Sequence, residues 1–335
     1  MPQSHMTQLR MTRRRVLGAG AALAAAPLVA GLLTTPAAAA APMLGPLQSK
    51  HLRFKLGAFE ITMISDSEAF IDGPWPLIGK NDTQSAVDQL MRGNLLPVNK
   101  YRPGFTPMVV NTGKELILFD TGNGARGFVP RPAGGWLAAQ LAPAGLKPED
   151  IDLVVLSHGH PDHIGGVIEN GLPLFPNARY AIGGTEYDFW SPAGKHTGDL
   201  EKYSALFRDF MVPLAEKTMF LKPGDDVASG IRAVEAFGHT PGHLAFHIDG
   251  GGKELFWFGD IAHHQVASLA RPDWHCVFDV DPEKASETRA RVLEMLAADR
   301  VAVCGYHMPF PSIGYVERLP SRGYRWLPHS YQLDL

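Results

Sequence analysis

Short apolar runs of strand length punctuate the chain at residues 59–64, 115–119, 151–156, 255–258 and 301–304. Each is rich in β-branched or aromatic residues and bounded by Gly, Asp or His, which predicts strands that end in loops. Helical patterning falls between them, at residues 83–92, 135–146 and 282–298. The last opens with Asp281-Pro282-Glu283, a capping acid followed by proline at the first helical position. Strands interleaved with helices throughout predict an α/β fold. Past residue 50 there is no low-complexity tract, flexible linker or solenoid-spaced repeat, so residues 42–335 are expected to form one domain.

The first 41 residues have a different pattern. Arg10, Arg13, Arg14 and Arg15 precede an Ala/Gly/Leu run over residues 16–33 and then an alanine-rich stretch. This reads as a cleavable export signal, and Arg13-Arg14-Arg15-Val16-Leu17 is similar to the twin-arginine signature. The expectation is a periplasmic or secreted protein with no stable membrane insertion once the signal is removed. Removing those four arginines from the 31 basic residues leaves 27 against 34 acidic ones, a net charge of −7 in place of −3.

A mildly acidic chain without a basic stripe is no nucleic-acid binder, because phosphate contacts need clustered Lys and Arg. Two cysteines, Cys276 and Cys304, make neither a disulfide scaffold nor a four-thiolate metal site, and both are expected to be buried thiols. The 14 histidines, against 8 tyrosines and 6 tryptophans, are the unusual feature. Histidine is the commonest metal ligand, so their spacing decides the chemistry.

Directly after the 151–156 run comes Ser157-His158-Gly159-His160-Pro161-Asp162-His163. Alternate residues of an extended backbone point the same way, which aligns His158 and His160. The turn at Pro161 then carries Asp162 and His163 to a second position. Three further segments end in ligand-type residues just past an apolar run or a turn, at His239, Asp260 and His307. In α/β folds sites gather at the carboxyl ends of strands, so these residues are expected to converge. Five His and two Asp suffice for two metals, each with an open position.

His-x-His-x-Asp-His followed by His239, Asp260 and His307 resembles the ligand pattern of the metallo-β-lactamase superfamily. The resemblance implies a four-layer αββα sandwich with a dinuclear site that holds two divalent metal ions per chain, zinc by default. It implies His158, His160 and His239 on one metal, Asp162, His163 and His307 on the other, and Asp260 with a hydroxide between them. That hydroxide would attack a lactone or ester carbonyl or a phosphotriester, with Asp162 orienting it. Asp120 would support the site by hydrogen bonding, and His243 would be structural. A mono-iron sulfur dioxygenase and a non-catalytic binding member of the same fold are the alternatives.

Leu56-Gly57-Ala58-Phe59-Glu60-Ile61, Asp188-Phe189-Trp190 and His239-Thr240-Pro241-Gly242-His243 further resemble the methyl parathion hydrolase and quorum-quenching lactonase subgroup. That likeness implies a small-molecule substrate and a homodimer. It also implies an aromatic pocket wall from Trp190, Phe128 and Phe207. His263, three residues after Asp260, is expected to donate a hydrogen bond or a proton to the leaving oxygen.

Overall fold

The computed structural model describes residues 49–332; the expected export signal lies outside them. The first sheet contains β1 (His51–Leu56), β2 (Phe59–Ile64), β3 (Met108–Asn111), β4 (Leu116–Phe119) and β5 (Leu153–Val155). A small hairpin of β6 (Ile168–Glu169) and β7 (Leu172–Pro173) intervenes before β8 (Arg179–Gly183) and β9 (Thr218–Leu221) complete that sheet, in the order β1-β2-β3-β4-β5-β8-β9. The second sheet follows the chain order through β10 (Asp226–Ala228), β11 (Ile231–Glu235), β12 (Leu244–Asp249), β13 (Glu254–Trp257), β14 (Ala302–Cys304), β15 (Ile313–Arg318) and β16 (Tyr324–Pro328). The β4-β5, β5-β8, β8-β9 and β13-β14 pairs are parallel.

The apolar runs are continuous because these strands are buried on both faces. In β4, Ile117 and Phe119 enter the core between the sheets while Leu118 faces the helices. Leu255 and Trp257 of β13 enter that same core, and Phe256 faces the opposite way. Phe119 meets Phe246 edge-on at 5.2 Å and Trp257 at 5.8 Å, joining the two sheets. Each fully buried side chain of this size contributes about 1.5–3 kcal/mol.

Among the described residues seven α-helices complete the fold: α1 (Gln84–Gly93), α2 (Leu137–Leu141), α3 (Pro161–Ile164), α4 (Gly184–Trp190), α5 (Gly198–Met211), α6 (Ala267–Ala270) and α7 (Pro282–Asp299). Leu137, Trp190 and Phe207, from α2, α4 and α5, cover the outer face of the first sheet. Val292, Leu293 and Leu296 of α7 cover the outer face of the second. The layers are therefore helix, sheet, sheet, helix. Among the described residues no helix is long and apolar enough to cross a membrane. Asp281 caps α7 as the sequence predicts, and Thr83, expected as the first residue of its helix, caps α1; each accepts a backbone N–H. The helix expected at 135–146 is only Leu137–Leu141, because Pro143 supplies no N–H and Gly145 turns the chain at φ 77. Both cysteines are buried and unpaired.

One buried cation fixes how α7 meets the loops above the second sheet. Arg289, 1% exposed, donates to the carbonyls of Ile261, Pro272 and Trp274 and to Asp279 Oδ2. Replacing it takes the cation away from the buried Asp279 carboxylate and leaves three carbonyls without their donor. Arg289→Ala is expected to destabilise the fold by about 3–5 kcal/mol in denaturant titration. A loss below about 1 kcal/mol would show that these loops do not depend on it.

Candidate metal centre

The carboxyl ends of β4, β5, β13 and β14 lead into the segments that carry Asp120, His158, Asp260 and His307. After β5 the chain bends at Ser157 and runs through His158, and His160 becomes the residue before α3, with Pro161 in its first turn. That one-turn helix carries Asp162 and His163. Gly159 has no room for a side chain: a Cβ there would stand 2.5 Å from Trp190 and 2.9 Å from Phe207. Gly259, at φ 54, is equally confined, since a Cβ would approach His243 Nε2 to 2.6 Å.

The side chains meet as two buried groups, His158, His160, His239 and Asp260 in one, Asp162, His163 and His307 in the other. His239 Nε2 lies 2.9 Å from His160 Nδ1 and 3.2 Å from His158 Nε2. Asp260 links the groups. Its Oδ1 is 3.2 Å from His163 Nε2, and its Oδ2 is 3.0 Å from His307 Nε2 and 3.3 Å from His239 Nε2. Asp162 Oδ2 lies 3.4 Å from His163 Nε2 and 3.5 Å from His307 Nε2.

The hydrogen bonds behind these rings determine what faces the centre. His163 Nδ1 donates to Asp120 Oδ2, His239 Nδ1 to Asp279 Oδ1 and His307 Nδ1 to the Gly104 carbonyl. Ser157 Oγ donates to Asp120 Oδ2, so His158 Nδ1 donates to that hydroxyl oxygen. The Nε2 atoms of these four rings therefore present lone pairs inward. Burial pushes His158, His160 and His239 below the ordinary histidine value, which keeps them neutral. The His239 and His158 lone pairs thus face each other at 3.2 Å, and those of His307, His163 and His239 face a carboxylate at 3.0–3.3 Å. His163 Nε2 and Asp260 Oδ1 are buried without any hydrogen-bond partner. Such an arrangement requires cations, and neutral imidazoles with carboxylates are the donor set of a divalent metal.

Three acids hold the donors in place. Asp120 adopts φ 55, costly for a residue other than glycine, yet both its oxygens are engaged, Oδ1 by Ser157 N and Oδ2 by Ser157 Oγ and His163. Glu186, fully buried, accepts from Gly159 N and Trp190 Nε1 through one oxygen and from Thr240 Oγ1 and Gly242 N through the other. It therefore ties the His158 loop to the His239 loop. Burial would raise Asp279, but His239 and Arg289 outweigh it and bring the carboxyl down to about 2. His243 accepts from Asp260 N at 3.1 Å and donates to the Ala236 carbonyl, a structural role.

The proposed pocket wall needs correction. Trp190 and Phe207 are fully buried behind Gly159, in the core between the first sheet and its helices, and Trp190 Nε1 is taken up by Glu186. Phe128 does border the donors, 39% exposed, with its ring 6.4 Å from His160 and 6.1 Å from Phe278. His263 lies between His239 and His307, at ring distances of 4.9 and 5.5 Å, with Nε2 3.5 Å from Asp260. Sequence reading missed Glu186 and Asp279. A lone acid in Cys276-Val277-Phe278-Asp279-Val280 is a usable signal for a buried carboxylate; nothing around Glu186 is comparable. Asp279→Asn is expected to weaken metal affinity about 10- to 100-fold in chelator competition, and unchanged affinity would remove Asp279 from the site.

The metallo-beta-lactamase superfamily model matches residues 106–307. A probable metallo-hydrolase of Mycobacterium tuberculosis is 27% identical over 184 residues, 47% of this chain and 56% of that protein. The chain thus spans about half the length of this curated relative. AidC, a dizinc quorum-quenching lactonase solved with the product N-hexanoyl-L-homoserine, is 27% identical with a TM-score of 0.77, over 84% of this chain and 98% of that one. The hydrolase AbOPH, in the beta lactamase superfamily, is 27% identical with a TM-score of 0.78, over 86% and 100%. The chain belongs to the metallo-beta-lactamase superfamily and has the fold of its metal-dependent hydrolases.

Proposed function

We propose that this protein hydrolyses neutral, largely apolar lactones and esters, and neutral phosphotriesters at the same centre. The observation that carries this reading is the wall of the cavity over the metal donors. The cavity, of about 160 Å³, is lined by Ile71, Leu77, Ile78, Phe105, Phe128 and Phe278 beside the donors, and no Lys or Arg borders it. The nearby Lys100 and Arg102 line a separate cleft that shares Tyr101, Pro103, Phe105 and His307 as a wall, and they are paired with Asp72 and Glu68. An anionic group on the substrate's acyl or aryl side would find no Lys or Arg on the cavity wall and would be desolvated at a cost.

Two zinc-type ions, one on His158, His160, His239 and Asp260 and one on Asp162, His163, His307 and Asp260, would lower the pKa of a shared water from 15.7 toward about 7 and polarise a substrate oxygen. Asp162 accepts a hydrogen bond from the attacking water and orients it. His263, with neither ring nitrogen hydrogen-bonded, is placed to donate to the leaving oxygen. Phe128 and Phe278 pack against the acyl or aryl group and exclude water. The likeness to a dizinc lactonase supports this reading.

A hydrolysis panel on metal-loaded protein tests it. A γ-lactone, an aryl ester and a neutral aryl phosphotriester should turn over, with kcat/KM at least about 100-fold above that for a β-lactam carboxylate. Asp260→Ala should reduce all of these to background. Failure to turn over any of the first three, or full activity of Asp260→Ala, would refute the assignment.

A further inference from the structure

The second donor group stands on a helix too short to hold itself. α3 is a single turn, Pro161–Ile164, and it carries Asp162 and His163, two of the group's three members besides the shared Asp260. One turn of helix is unstable by itself, and its last carbonyls lack partners inside it. Gly166 N, the donor that a longer helix would bring to the Asp162 carbonyl, goes instead to the Gly122 carbonyl at 3.2 Å. Distant parts of the chain supply the partners. Thr121 donates to the His163 carbonyl through both its N, at 2.7 Å, and its Oγ1, at 2.8 Å. The Tyr306 hydroxyl donates to the Asp162 carbonyl at 2.6 Å.

Tyr306 does more than satisfy that carbonyl. Two residues past the end of β14, it is fully buried in the core between the sheets, edge-on to Phe105 at 6.3 Å and to Trp257 at 6.1 Å. Its ring lies against the His163 imidazole, with centroids 3.9 Å apart and planes 34° from parallel. His307, the next residue, meets it edge-on at 5.0 Å. One side chain therefore touches Asp162, His163 and His307 together. The first donor group is held by other means: Ser157 behind His158, Asp279 behind His239, and Glu186 between their loops.

We propose that Tyr306 is the positioning residue of the second metal site, so that the second ion depends on its hydroxyl while the first does not. The hydroxyl fixes the backbone from which the Asp162 carboxylate projects. The ring packs the His163 imidazole in the orientation that its bond to Asp120 sets. Tyr306 touches neither ion nor substrate. Loss of a group that orients metal ligands typically costs about 10- to 100-fold in affinity. The inference rests on the two-ion reading above.

The test compares wild type, Tyr306→Phe and Tyr180→Phe, each loaded with Co2+ and then stripped by graded chelator. The visible absorption of Co2+ separates the three-histidine site from the one containing Asp162, and Asp162→Ala marks the bands of the second. Tyr180 is the control, because its hydroxyl is buried without a partner, in the core between the first sheet and its helices. Tyr306→Phe should hold the second ion about 10- to 100-fold more weakly and the first within about twofold of wild type. Tyr180→Phe should hold both as the wild type does. Loss at the first site, equal loss at both or loss at neither would overturn the Tyr306 assignment alone. So would a Tyr306→Phe chain that fails to fold while Tyr180→Phe folds, because the hydroxyl would then serve the core. A wild type that takes up a single ion would overturn the two-ion reading and this inference with it.

Discussion

Buried lone pairs pointing at one another are the constraint on which this structure turns. His158, His163, His239 and His307 each commit the Nδ1 proton outward, to Ser157, Asp120, Asp279 and the Gly104 carbonyl. What remains inside is a buried cluster of acceptors around the Asp260 carboxylate, at the floor of the cavity. Protein atoms alone leave such a cluster repulsive, and positive charge at its centre makes it favourable. The outer hydrogen bonds are thus as much a part of the site as the donors.

The sandwich supplies the rigidity that this arrangement requires. Parallel strands in each sheet end beside one another, and the loops leaving them carry the donors. Glu186 joins the loops of His158 and His239, while Arg289 and Asp279 connect α7 to the second sheet's side of the site. Asp120 retains an unfavourable backbone conformation because three donors surround its carboxylate. Strain and buried charge concentrate here, while the apolar core between the sheets provides the stability that tolerates them.

Much of this was legible in the sequence because it is local. The strands at 59–64 and 302–304 declare themselves by short apolar runs, and α7 by its Asp-Pro-Glu start. The spacing of His158, His160, Asp162 and His163 within one turn makes the ligand cluster visible without coordinates. Glu186, Asp279 and Arg289 are different: each joins loops through partners as far as 56, 40 and 28 residues away, and neither periodicity nor propensity encodes that. Trp190 and Phe207 show the converse failure. An aromatic near a site in sequence looks like a pocket wall, yet here Gly159 draws both rings under the loop and into the core. Pro143 ended a helix that the apolar pattern would have extended.

The central claim is that two donor sets share Asp260 and hold two ions. The most direct measurement is the metal content of the protein purified without added metal, by elemental analysis against protein concentration. The account predicts two zinc-type ions per chain. One iron per chain, with no second ion taken up when zinc is supplied, would contradict it.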